Sequence, residues 1–197
     1  MKEYHQSYQD LVSKSVLRKI IKEQRKSIDF SKLVLKSKEI TRTLLSQDLL
    51  KSTTIKNVAL YSPIHREVDT KYIDIQLRKL NKSIFYPKII NKRMRFYQAS
   101  SLSDFSLGYQ GIQEPISDRL INSKNIDIFI VPALAINSLG YRLGYGQGFY
   151  DKELKGIPTR KIYSVIFDFQ FINSQFDQSH DIKVKKVFTE KGVYTIN

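Results

Sequence analysis

Ile126-Asp127-Ile128-Phe129-Ile130-Val131, ended by Pro132, is the stretch from which the fold can be read. A short apolar run stopped by proline suits a strand buried on both faces, as parallel sheets require. Working outward, residues 57–62 and 83–86 repeat the pattern on the N-terminal side, closed by Pro63 and Pro87. Residues 161–167, 187–189 and 192–196 repeat it on the C-terminal side. Helical spacing lies between them. In residues 13–27, Val16, Leu17, Ile20 and Ile21 form one face, with Lys14, Arg18, Lys22 and Arg25 opposite and Ser13 as the cap. Residues 31–50, 69–79 and 149–154 read as further helices, and residues 94–98 as a hairpin partner across the basic turn 91–93. Strands alternating with helices predict a mostly parallel α/β sheet with helices on both sides. No repeat, low-complexity tract or linker divides residues 1–197, so one domain is expected.

Composition narrows the class. A 197-residue chain that is 41% apolar and 12% aromatic can bury a core and is not a disordered tail. With no cysteine, disulfides and thiolate-held metals are excluded. No run approaches the roughly 18 to 20 apolar residues of a membrane span. Residues 1–10 are polar and lack the apolar centre of a secretory signal. A cytoplasmic protein with no membrane partner is expected. The net charge of +14 could attract nucleic acid or anionic small molecules. Basic residues nevertheless run from Lys2 to Lys191 without a block of five or six like charges, which is the pattern of background composition.

Four of the eight glycines fall together, at Gly140, Gly144, Gly146 and Gly148, between the strongest strand and a predicted helix. Ligands of open α/β sheets gather beyond the carboxyl ends of strands, where glycines let backbone N–H groups approach phosphate. Arg142 can pair with phosphoryl oxygens and Asp151 with magnesium. The stretch is neither a P-loop nor a dinucleotide fingerprint, since Phe149 stands where the latter needs its third glycine. An ordinary glycine-rich turn is the competing explanation.

The run from Ile130 through Asn137, Arg142 and Gly148 to Asp151 resembles the signature of the 5-formyltetrahydrofolate cyclo-ligase family. Further blocks match in order: Lys14 to Arg18, Glu67 to Thr70, Phe85 to Pro87, Met94 to Tyr97, Gly111 to Pro115, Gln170, and His180 with Asp181. The resemblance implies a three-layer α/β/α sandwich related to the sugar-phosphate isomerase and CoA-transferase group. It implies ATP-dependent, magnesium-dependent closure of 5-formyltetrahydrofolate to 5,10-methenyltetrahydrofolate, by a monomer acting on a small substrate, free or polyglutamylated, without nucleic acid. Lys14, Arg18 and Arg142 would hold ATP phosphates, together with Leu143, Gly144, Tyr145, Gly146, Gln147, Gly148, Phe149 and Tyr150. Tyr61, Glu67 and the loop residues Tyr145 to Phe149 would meet the folate, Arg142 would be catalytic, and Asp151 would hold the metal. Lys14 and Arg18 could equally be solvated charges, and the aromatic rings could be core. Three positions depart from the family pattern: Gln147, Asn137, and Lys185, where some members carry a second metal-binding aspartate. Two alternatives stay open at this point, a basic nucleic-acid-binding protein and a family member with altered activity.

Overall fold

The computed structural model describes residues 13–174, 176 and 181–197; residues 1–10 and His180 lie outside the described residues. Helices α1 (Lys14–Lys26), α2 (Phe30–Leu45) and α3 (Asp48–Lys51) precede β1 (Asn57–Ala59). Helix α4 (Lys71–Lys79) leads to β2 (Ser83–Ile90) and β3 (Arg93–Gln98), then to a ribbon of β4 (Phe105–Leu107) and β5 (Gln113–Pro115). Strands β6 (Leu120–Ile121), β7 (Ile128–Val131), β8 (Ala135–Asn137) and β9 (Arg142–Leu143) follow, then α5 (Phe149–Glu153). Strands β10 (Ile162–Val165), β11 (Phe171–Ile172), β12 (Lys186–Thr189) and β13 (Gly192–Thr195) complete the chain.

Eight strands form the main sheet in the order β13-β12-β10-β7-β1-β2-β3-β6. From β12 to β2 every neighbour is parallel. The margins, β13 on one side and β3 with β6 on the other, are antiparallel. At the centre, all four residues of β7 are buried, as its continuous apolar run requires. Ile128 and Ile130 point into the core under α2, α3 and α4, while Phe129 and Val131 point to the opposite face. That second face is covered more thinly, by Phe149 and Tyr150 of α5 and by Leu154 just beyond it. Helices therefore occupy both faces, but very unequally. Helix α1 packs elsewhere, with Leu17 and Ile21 against Leu134, Ala135, Leu143 and Ile172 on the small sheet β11-β8-β9.

Three expectations need correction. The helix expected over residues 31–50 starts one residue earlier, because Asp29 caps it by accepting the Lys32 N–H at 2.8 Å. It also breaks after Leu45, where the Ser46 hydroxyl takes the Thr43 carbonyl at 2.8 Å and competes with the helical ladder. The strand expected to stop at Pro87 runs on to Ile90. Pairing with β1 ends at Phe85, so Pro87 interrupts no pair of that parallel ladder, and β2 continues beyond it by pairing with β3, Pro87 opposite Phe96. The turn between β2 and β3 is the two-residue primed type, with Asn91 and Lys92 at φ 51° and 59°. Finally, Arg25 does not lie opposite the apolar face of α1. Leu17, Ile21 and Arg25, spaced four apart, are the buried stripe, and Val16 is 49% exposed.

Candidate active site

Beyond the carboxyl ends of β1 and β7 lies a cleft of about 460 Å³, lined by residues of α1, β2, β3, the β4–β5 ribbon, α5 and the loops after β1 and β9. Every site residue expected from the sequence lines it, from Lys14, Arg18, Tyr61 and Glu67 to the continuous run Arg142–Asp151. The glycine cluster divides between two tasks. Gly140 closes the β8–β9 hairpin at φ 83°, where a side chain would strike the Val184 carbonyl at 2.8 Å, and it does not line the cleft. Asn137 serves the same turn, accepting the Tyr141 N–H at 2.9 Å. Gly144, Gly146 and Gly148 form the wall. A methyl group at position 144 would sit 3.0 Å from Arg142 Nη1, so this glycine leaves room for the guanidinium.

Helix α1 is tied to that wall. Arg18 Nε donates to the Gly144 carbonyl at 2.8 Å, and Lys14 Nζ lies 2.8 Å from Asp181 Oδ2. Arg142 is on strand β9 rather than within the loop, and its side chain is 5% exposed. Its Nη2 lies 2.9 Å from Asp151 Oδ1, and its guanidinium carbon is 5.3 Å from the Tyr150 ring centroid. The two residues expected as separate charged ends are thus paired with each other, because α5 starts so soon after the loop. Arg142 Nε is buried without a hydrogen-bond partner among the described residues. Helix α5 has five residues, too few for its dipole to be a substantial anion site.

A second arginine–carboxylate pair faces the first across the loop. Residues His65 and Arg66 adopt φ 47° and 58°, a conformation costly outside glycine, and fold the chain so that Glu67 turns inward. Glu67 Oε2 accepts the Ile64 N–H at 3.0 Å, Oε1 accepts the Tyr145 hydroxyl at 3.0 Å, and Arg25 Nη1 is 3.5 Å from Oε1. Arg25 Nη2 also donates to the Tyr145 hydroxyl oxygen. Burial pushes the Glu67 carboxyl above its usual range, opposed by Arg25, the Ile64 N–H and Tyr145. Tyr145 is pushed well up, first by burial and then by the Glu67 charge, so its hydroxyl stays protonated and donates.

Two expected contacts change character. Tyr61 is 2% exposed and donates to the Val68 carbonyl at 3.1 Å, so it forms the floor and offers no stacking face. Leu143 buries its side chain against Leu17 and Ile21, leaving only main chain to a ligand. Lys185 is not in the lining at all; its ammonium donates to the Ile196 carbonyl at 2.5 Å. Sequence reasoning passed over Lys22, Arg25, Ser62, His65, Tyr109 and Glu114, which also line the cleft or buttress it. Glu114 accepts N–H groups of Ile89 and Tyr109 at 3.1 and 3.2 Å and so fixes the ribbon, whose Tyr109 meets Phe149 edge-on at 5.5 Å. Two of these carried a readable signal: Arg25, a charge in register with an apolar stripe, and Glu114, inside the matching block Gly111 to Pro115.

Among the described residues no group of three His, Cys, Asp or Glu side chains gathers as a ready metal site. Glu67 and Glu114 are committed to protein donors, and Lys14 faces Asp181. Asp151, whose side chain is 19% exposed, is placed to supply one oxygen. That donor set fits magnesium carried on phosphates, which asks one or two carboxylates of the protein and takes its other ligands from phosphate and water.

A family profile for the 5-formyltetrahydrofolate cyclo-ligase family matches residues 10–190. The chain is 31% identical over 179 residues to the 5-formyltetrahydrofolate cyclo-ligase of Mycoplasma genitalium, covering 87% of this chain and 97% of that protein. The NMR structure of Aquifex aeolicus 5,10-methenyltetrahydrofolate synthetase superposes with a TM-score of 0.83 at 31% identity, covering 93% of each chain. The Mycoplasma pneumoniae 5,10-methenyltetrahydrofolate synthetase shares the fold, with a TM-score of 0.74 at 23% identity over 91% of this chain and 99% of that one.

Proposed function

The chain belongs to the 5-formyltetrahydrofolate cyclo-ligase family, and from that premise we propose that it uses ATP to close 5-formyltetrahydrofolate to 5,10-methenyltetrahydrofolate, releasing ADP and phosphate. The formyl oxygen attacks the γ-phosphorus and ADP leaves. The second folate nitrogen then attacks the activated formyl carbon, loses its proton to solvent, and expels the former formyl oxygen as phosphate. Such a reaction asks the protein for alignment and charge neutralisation more than for a nucleophile.

The observation that carries this assignment is the convergence of Lys14, Arg18 and Arg142 with a glycine wall, aromatic rings and a buried carboxylate in one cleft of ligand size. Arg142 neutralises the transferring phosphoryl group through its charge and the Nη2 now held by Asp151. Magnesium, held by Asp151 and by ATP phosphates, would add neutralising charge there. Lys14 and Arg18 hold the remaining phosphates, while Glu67 and the loop residues Tyr145 to Phe149 hold the folate. The site works in a monomer in the cytoplasm and requires no nucleic acid. The parallel centre of the sheet supports kinship with the sugar-phosphate isomerase and CoA-transferase architecture.

The test is a spectroscopic assay for the methenyl product, with ATP, magnesium and folate each omitted in turn. Product should require all three, and ADP should appear only with folate present. ADP formed at the same rate without folate, and no methenyl product with it, would remove the cyclo-ligase assignment.

A further inference from the structure

Three walls of the cleft meet on one side chain that the proposed chemistry does not use. Arg25 is 1% exposed and continues the buried stripe of α1. Its guanidinium stands 3.5 Å from Glu67 at Nη1, donates to the Tyr145 hydroxyl from Nη2, and lies 5.6 Å from the Tyr145 ring centroid. It therefore spans α1, the loop after β9 and the turn after β1. Its Nε is buried without a partner among the described residues. Burying an arginine with an incomplete set of hydrogen bonds is a poor way to gain stability, since desolvation offsets much of the attraction. The arrangement suits orientation better than it suits stability.

We propose that Arg25 is a positioning residue for the substrate half of the cleft, fixing the Glu67 carboxylate and the Tyr145 ring in the register that receives the reduced folate. It rests on the assignment of Glu67 to folate made above, and Arg25 acts through Glu67 without touching either substrate. The phosphate cations of α1 do not depend on it, because Arg18 and Lys14 have their own anchors on Gly144 and Asp181. The other ionisable groups facing this cluster are Lys22 of α1, His65 of the turn, Tyr61 after β1 and Tyr150 of α5.

The experiment compares wild type, Arg25→Met, Glu67→Gln and the double variant, with Arg25→Lys as the charge-keeping control. Arg25→Met should lower kcat/KM for the reduced folate about tenfold, the loss of one oriented charged contact, and leave KM for ATP within about threefold. In the Glu67→Gln background the same change should cost less than about threefold more, because its target is gone. Arg25→Lys should recover part of the loss. Independent losses that multiply in the double variant would overturn the proposal, as would a folded Arg25→Met with unchanged folate kinetics.

A second readout needs no turnover. Glu67 has a raised carboxyl pKa, so its contribution to stability is complete below the ordinary 4.5 and is lost as pH rises through its higher folded value. Without Arg25 that rise is less opposed, and the melting temperature should fall more steeply with pH in Arg25→Met than in wild type. Glu67→Gln should abolish the difference. Equal slopes in wild type and Arg25→Met would overturn the proposal even if the protein is active. A wild type that makes no methenyl product fails the activity assignment alone, and the slopes still report whether Arg25 acts on Glu67.

Discussion

The glycine wall separates two buried arginines, each facing a carboxylate, and the two pairs are built for different work. Around Glu67 every oxygen is taken: Ile64 N–H, Tyr145 hydroxyl and Arg25 converge on a carboxylate that is 4% exposed. Around Asp151 the carboxylate is 19% exposed and its backbone donor is a long 3.3 Å contact from Ile182. Both arginines keep an Nε without a partner among the described residues, so the difference lies in the carboxylates. Glu67 is saturated and fixed, whereas Asp151 is open to the cleft, so a metal can take the aspartate while a phosphoryl group takes the arginine. Engagement and exposure of the carboxylate distinguish a scaffold from an exchangeable pair, although both are ion pairs beside the same cleft.

Stability should separate them most. Arg25→Met strands a buried carboxylate and should cost about 3–5 kcal/mol, a fall in melting temperature of roughly 6–20 °C for a domain of this size. Arg142→Met leaves a carboxylate that water can reach and should cost on the order of 1 kcal/mol. Equal melting temperatures for these two variants would erase the distinction.

Activity should respond next to crowding of the exchangeable pair. In Gly144→Ala the new methyl, 3.0 Å from Arg142 Nη1, must push the guanidinium aside. Turnover should fall about tenfold, within the cost of a misplacement near 1 Å, while melting stays near wild type. Asp151→Asn keeps the shape and removes the charge, so the magnesium concentration giving half-maximal rate should rise about tenfold. An unchanged magnesium dependence would take Asp151 out of the metal site. The smallest effect is expected at Lys185, outside both pairs; Lys185→Ala should leave kcat and both KM values within about threefold in the same assay.

The parallel centre of the sheet was legible because β7 is apolar without interruption, as a strand buried on both faces must be. Pro87 misled because a missing N–H stops a strand only where a neighbour needs it, and β1 has already ended there. That the run Arg142 to Asp151 lines one cleft with Lys14, Arg18 and Glu67 agrees with the grouping read from the sequence. The pairing inside it was not. Nothing in the spacing of Arg142 and Asp151 shows that a hairpin and a five-residue helix bring them to 2.9 Å. Arg25 has a charge that suggests solvent, yet it stands four residues from Ile21 and eight from Leu17, which puts it on the buried stripe.

The central claim is that the exchangeable pair serves phosphoryl transfer while the fixed pair serves folate binding, and steady-state kinetics of Arg142→Ala beside Glu67→Gln test it most directly. Arg142→Ala should lower kcat about 10²- to 10³-fold, as loss of one transition-state contact does, and leave KM for the reduced folate within about threefold. Glu67→Gln should raise that KM about tenfold with kcat within about threefold, the signature of lost ground-state binding. If both variants lose the same parameter, or if folded Arg142→Ala keeps kcat within about threefold of wild type, a change of only about 0.6 kcal/mol in the barrier, the division of labour is contradicted.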